Sequence, residues 1–248
     1  MGKIRRLKTK ILITVLALET LAFAGCGAGK PKAPSATPHA LPLRATTSAA
    51  GAGPAALVGE VERELNAMRV TRYQHTTAVD ESSGSYVYDC SGFLDYAMGR
   101  VLAADLGTIP HTKSRPRAAD IEHYLHRGLT DPIDGWQALA GVDALGPGDV
   151  IAWLATEDST TGDTGHVMVV LEAPTQDSAR PGEWLVRVAD STLNPHARDS
   201  RKPGATGLGT GTIGLVADRG APTAFYWRGG VSRDAKPTEI ALGRPQGT

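Results

Sequence analysis

The sequence predicts an α+β domain, with N-terminal helices packed on an antiparallel β-sheet. Two observations predict it. Apolar residues recur at helical spacing in the first half, through His126. The second half instead carries short β-branched apolar runs separated by Gly and Pro turn signals. Helices first and strands later place helices on one side of a sheet, not between parallel strands.

Residues 1–25 read as a lipoprotein signal peptide. Lys3, Arg5, Arg6, Lys8 and Lys10 form a positive start, and Ile11 to Ala24 is apolar apart from Glu19 and Thr20. That stretch is short of the roughly 20 apolar residues a membrane span needs and has the proportions of an export signal. It ends in FAGC, which resembles a bacterial lipobox with Phe23 where Leu is usual. Cys26 is therefore the expected lipid-attachment residue; an ordinary export signal cut nearby is the alternative. Five of the 26 basic and one of the 26 acidic residues precede Cys26, so the exported form has four more acidic than basic side chains. Such a surface gives no electrostatic case for nucleic acid. Residues 26–55, rich in Ala, Gly, Pro, Ser and Thr, read as a flexible tether. Residues 56–230 then form one domain, and the polar residues 231–248 a flexible tail.

Within the domain, Pro54 to Arg72 is predicted helical from the spacing of Leu57, Val58, Val61, Leu65 and Met68. A polar loop follows. Asp89 to Leu106 is the second predicted helix, with Phe93, Leu94, Ala97, Met98, Val101 and Leu102 on one face and Asp89 as N-cap. Ala118 to His126 is a short third. Strands are predicted over Asp149–Leu154 after the turn signal GPG, His166–Leu171, Trp184–Ala189, Thr212–Ala217 and Thr223–Trp227.

The chain has two cysteines. Cys90 falls in the first turn of the second predicted helix, where unpaired N–H groups and the helix dipole favour the thiolate, the nucleophilic form. The charge of Asp89 opposes this, so its capping role must outweigh it or a cation must sit close by. A buried structural thiol is the competing reading. A disulfide to Cys26 is disfavoured, because a flexible tether is a poor partner. Of the seven histidines, His39 is in the tether, and His123 and His126 lie on a polar helix face. His166 opens an apolar strand directly after Gly165, a position that holds a side chain rigidly; a plain strand-end histidine is the alternative. A cysteine nucleophile needs such an imidazole to take and return its proton.

The blocks DCSGF, PGDVIAW and TGHVMVVL, in that order, resemble the NlpC/P60 family of papain-like cysteine peptidases. The resemblance runs from Leu57 to Trp227. It implies a papain-like fold, Cys90 as nucleophile, His166 as general base, and a polar residue on the following strand that orients the imidazole. WLVRVADST places Asp190 there, where the family more often has His, Asn or Gln; His196 competes for the role. Tyr73 in RYQHTT matches the family's tyrosine near the oxyanion site, although Gln-His-Thr replaces the usual Trp-Gly-Gly. Tyr86 and Tyr88 are alternatives, and Ser91 is a further substrate-side candidate beside the nucleophile. The backbone N–H of Cys90 is a natural oxyanion donor. Segments 111–145 and 155–165 and the run LNPHARDSRKPGATGLGTGTIG lengthen the chain relative to compact members and are expected to border the cleft.

The resemblance implies a monomeric hydrolase, lipid-anchored on the extracytoplasmic face of the membrane, that cuts amide bonds in peptidoglycan stem peptides. An amidase or acyltransferase on another substrate, or an inactive peptidase-like binding module, are the alternatives. No cofactor is expected, and no metal, because Cys/His clusters at zinc spacing are absent.

Overall fold

The computed structural model describes residues 52–157, 159–160 and 162–248. The expected signal peptide (1–25), the expected lipid-attachment residue Cys26 and the expected tether through residue 51 lie outside these residues. The domain is α+β with a large antiparallel sheet, as its sequence predicts.

Helix α1 (Ala52–Ala67) buries Leu57 and Val61. It starts within the stretch expected as tether and ends earlier than expected. Val70–Arg72, predicted to continue it, is strand β1. β-Branched Val70 and Thr71 suit extended backbone, and β1 pairs in parallel with β3 (Ser85–Val87), which also pairs with β2 (Ala78–Asp80). This small sheet delivers the chain to α2 (Cys90–Val101). The long helix predicted from Asp89 breaks at Leu102, whose φ of −142° leaves the helical region, and resumes as α3 (Ala103–Gly107). Helix α4 (Ala118–Arg127) buries Ile121, Tyr124 and Leu125. No helix among the described residues is long and apolar enough to cross a membrane.

The main sheet comprises β4 (Trp136–Leu139), β5 (Val150–Leu154), β6 (Gly165–Val170), β7 (Thr175–Gln176), β8 (Glu183–Thr192), β9 (Gly207–Asp218), β10 (Ala221–Tyr226), β11 (Lys236–Pro237) and β12 (Ile240–Pro245). Its order is β11-β10-β9-β8-β6-β5-β12-β4, with β7 beside β8. Val150, Ala152, Val167 and Val169 pack under the helices, while Ile151, Trp153, Met168 and Val170 join a second core on the other face. Burial on both faces is why these strands read as unbroken apolar runs. Helix α2 packs on β6 and β8, the two strands that carry the polar cluster described below.

Residues 231–248 are not a flexible tail. β12 inserts between β4 and β5, burying Ile240, Ala241 and Leu242. Arg244 bonds both oxygens of Asp149 at 2.8 and 2.7 Å. Gly247 N and Thr248 Oγ1 donate to the Asp105 carboxylate at 2.7 and 2.6 Å. A strand this short among polar neighbours carries no periodicity of its own; its partners define it.

Candidate active site

Helix α2 begins as its sequence requires. The Asp89 carboxylate caps it, accepting the Gly92 N–H at 2.7 Å. The same carboxylate also takes Arg115 Nη2 at 2.7 Å and faces His75 Nδ1 at 3.2 Å. Arg115 is thus the cation that offsets Asp89 beside the thiol. Cys90 occupies the first position of α2, where its backbone N–H has no acceptor within the helix.

His166 is the second residue of β6, opposite Trp153 on β5. Gly165 before it has φ +123°, and a Cβ there would lie 1.8 Å from the Trp153 carbonyl oxygen. Only glycine fits that edge of the ladder, so the glycine fixes where the histidine sits. The imidazole is wedged between Trp153 and Trp227, at centroid distances of 5.6 and 5.0 Å. Its Nε2 lies 2.6 Å from Asp190 Oδ2. The Cys90 sulfur lies near enough to act on its charge, and with Nε2 engaged by Asp190, Nδ1 is the nitrogen left to face it. Burial works against the imidazolium, but the Cys90 sulfur and the Asp190 carboxylate outweigh it and push its pKa up to about 10.

Asp190, on β8, is fully buried. Its Oδ2 also faces His196 Nε2 at 2.9 Å, and its Oδ1 accepts Arg201 Nη2 at 2.5 Å. Burial alone would raise its pKa; His196 and the hydrogen bonds from both imidazoles hold it well below the usual carboxylate range. Of the two candidates for the residue that orients His166, Asp190 touches it, and His196 stands on the far side of Asp190. The glycines of GLGTGTIG explain how this fits. A Cβ on Gly209 would lie 2.6 Å from Arg201, and one on Gly211 would lie 2.5 Å from His196. Bare backbone on that face of β9 leaves a trough for both side chains. The run expected to border the cleft therefore also builds the support of Asp190, although Leu193 and Asn194 do reach the cleft wall.

The cleft has a volume of about 390 Å³. Its walls include Tyr73, His166, Trp153 and Trp227, with Thr156, Ser159 and Asp163 from the 155–165 segment. Cys90 is 5% exposed and His166 8%, and His166 lines this cleft whereas Cys90 does not, so the pair does not face an open groove. No protein-family model, curated protein or solved structure matches this chain. The site must be read from its geometry.

That geometry sorts the remaining candidates. Tyr73 stays: it lines the cleft near Cys90, and burial together with the negative charges of Cys90, Asp89 and Asp163 pushes its pKa up, so the phenol keeps the hydrogen that a donor needs. Tyr88 does not: its ring is in the core and its hydroxyl donates to Glu64 at 2.6 Å. Tyr86 is equally buried. Ser91 is also not on the substrate side. Its hydroxyl is buried between Asp89 at 3.3 Å and Arg115 at 2.5 Å, where it braces the cap. Arg115 and Arg201 were not legible as site residues, since nothing in SRPRAAD or SRKPG marks an arginine that folds back onto a distant aspartate.

The ligand atoms of His166, Asp190 and His196 fall within 4.8 Å of one another. Both Nε2 atoms face the same oxygen of Asp190, and Arg201 takes the other. The lone pairs an ion would use are already engaged, so the donor set suits proton chemistry and not a metal.

Proposed function

We propose that this protein is an exported, lipid-anchored cysteine hydrolase of the papain-like NlpC/P60 type that cleaves amide bonds in peptidoglycan stem peptides. One observation carries the catalytic part: a thiol in the first turn of a helix lies near an imidazole whose Nε2 rests on a buried carboxylate. The substrate and the anchor rest on the resemblance of DCSGF, PGDVIAW and TGHVMVVL to that family and on the FAGC lipobox.

The chemistry follows. Cys90 sulfur attacks the amide carbonyl carbon, and the oxyanion forms against the Cys90 N–H and the Tyr73 hydroxyl. The C–N bond then breaks, and the His166 proton goes to the leaving amine. The resulting thioester is attacked by water, which gives a proton to His166. Release of the carboxylic acid returns the thiolate–imidazolium pair. Asp190 keeps the ring aligned throughout.

The buried thiol and the modest cleft favour a second reading at the level of substrate, an amidase acting on a small amide away from the wall. Mass spectrometry separates the two. Incubation with purified wall and with soluble stem peptides releases defined peptide fragments if the first reading holds. Cys90→Ala and His166→Ala each lower turnover by about 10³-fold or more while leaving the fold intact. Full activity in Cys90→Ala would end both readings.

A further inference from the structure

Asp190 is not a carboxylate with one duty. Two imidazoles and a guanidinium converge on it, and a carboxylate only accepts hydrogen bonds. His196 must therefore donate through Nε2. Its Nδ1 lies 2.9 Å from the Trp227 carbonyl, another acceptor. With an acceptor at each nitrogen, this buried ring makes both bonds only with a hydrogen on each. Arg201 is locked as well. Nε donates to the Gly207 carbonyl at 2.7 Å, Nη1 to Asp199 at 2.7 Å, and Nη2 to the carbonyl of Asp190 at 2.6 Å besides its side chain. Asp199 closes the ring by accepting the His196 backbone N–H at 2.7 Å.

Resting on the Cys90–His166 reading above, we infer that His196 and Arg201 form a fixed cationic clamp on Asp190. As positioning residues, they aim Oδ2 at His166 and limit how tightly the carboxylate holds the His166 proton. An aspartate left alone with His166 would stabilise the imidazolium more strongly and make it a poorer proton donor to the leaving amine. The clamp shares the negative charge among three cations. The two Nε2 atoms lie within 4.8 Å of each other, close enough for one ring's charge to oppose protonation of the other. The other groups around His166 are Cys90 from α2, Trp153 from β5 and Trp227 after β10. Tyr73, Asp163 and Lys236 share its cleft.

The test uses the full chain and reads alkylation of Cys90 by iodoacetate across pH 5–11.5, with the site resolved by peptide mass spectrometry. Iodoacetate is an anion that the His166 imidazolium attracts, so the rate falls when His166 loses its proton. His196→Gln keeps a donor for Asp190 and removes the charge. It is expected to move the high-pH midpoint up by about one unit. Arg201→Lys keeps the charge and loses the fork; it is expected to leave that midpoint in place and slow hydrolysis. A midpoint unmoved in a folded His196→Gln overturns the inference, and leaves the parent reading standing if the wild type still shows the bell-shaped profile. A wild type with no high-pH fall overturns both. Should the variants not fold, ¹⁵N-histidine NMR of the wild type decides: His196 doubly protonated from pH 6 to 9 supports the clamp, and a neutral tautomer there refutes it.

Discussion

Asp190→Asn is the substitution on which the site's electrostatics can be weighed. Asparagine keeps the size but turns one oxygen into an amide N–H₂. Oδ2 of Asp190 faces two imidazoles and Oδ1 a guanidinium, so in either orientation the amide nitrogen meets a donor. The charge that balances Arg201 also goes, in a position with no access to water. Removing one partner of a buried ion pair costs about 3–5 kcal/mol, against a total of about 5–15 kcal/mol for an ordinary domain. With a urea slope of about 2 kcal/mol per molar, the midpoint should fall by about 1.5–2.5 M. Urea titration at pH 7, followed by tryptophan fluorescence, measures it. The pKa of Asp190 is depressed on folding, so its contribution is present above the ordinary carboxylate pKa and is lost only as pH falls through its low folded value. The difference between wild type and variant should therefore persist at pH 5 and shrink only in strong acid. A midpoint shift below about 0.5 M at pH 7 would mean that the carboxylate is not the charged hub of the cluster. Hydrolysis should fall too, but less than in Cys90→Ala.

The His166 pair should be visible in the alkaline range. Its pKa rises on folding to about 10, so its contribution to stability is complete below the unfolded value of about 6.5 and is lost as pH rises through about 10. His166→Gln should flatten the stability curve over that window, measured by urea titration from pH 6 to 10.5; an unchanged slope would contradict the pairing. Gly165→Ala should destabilise by more than about 3 kcal/mol, since its Cβ would press on the Trp153 carbonyl; a melting temperature like the wild type's would remove the steric argument. Deletion of residues 239–248 should abolish cooperative unfolding. Burying each large aliphatic side chain contributes about 1.5–3 kcal/mol, and Ile240 and Leu242 go together with two lines of strand pairing; a sharp calorimetric transition in the truncated chain would be the contrary result.

What could be seen in the sequence was what depends on local pattern. The apolar spacing of α1, α2 and α4, the Asp89 cap and the Gly165-His166 strand opening all follow from neighbours within a few residues. The motif blocks single out Cys90, His166 and Asp190, and of these the structure brings His166 and Asp190 into direct contact. Contacts between distant segments were not. Arg115 and Arg201 act through aspartates they meet only in the folded chain. Tyr88 and Ser91 looked like substrate-side residues because they flank the cysteine, yet Glu64 and Arg115 turn them inward. The alternation Gly207-Leu208-Gly209-Thr210-Gly211 is the local trace that these contacts leave in the sequence. A sheet face stripped of side chains implies that something else lies on it.

The insertion of β12 between β4 and β5 has a kinetic consequence. Ile240 sits opposite Trp153 and Leu242 opposite Leu139, residues far apart along the chain. Such non-local pairing slows the search for the native topology. Until residues 240–245 arrive, β5 offers one unsatisfied ladder edge to any neighbour, including another nascent copy. The waiting time of that edge, more than the final stability, should decide how much of the chain reaches its native form and how much is lost to aggregates.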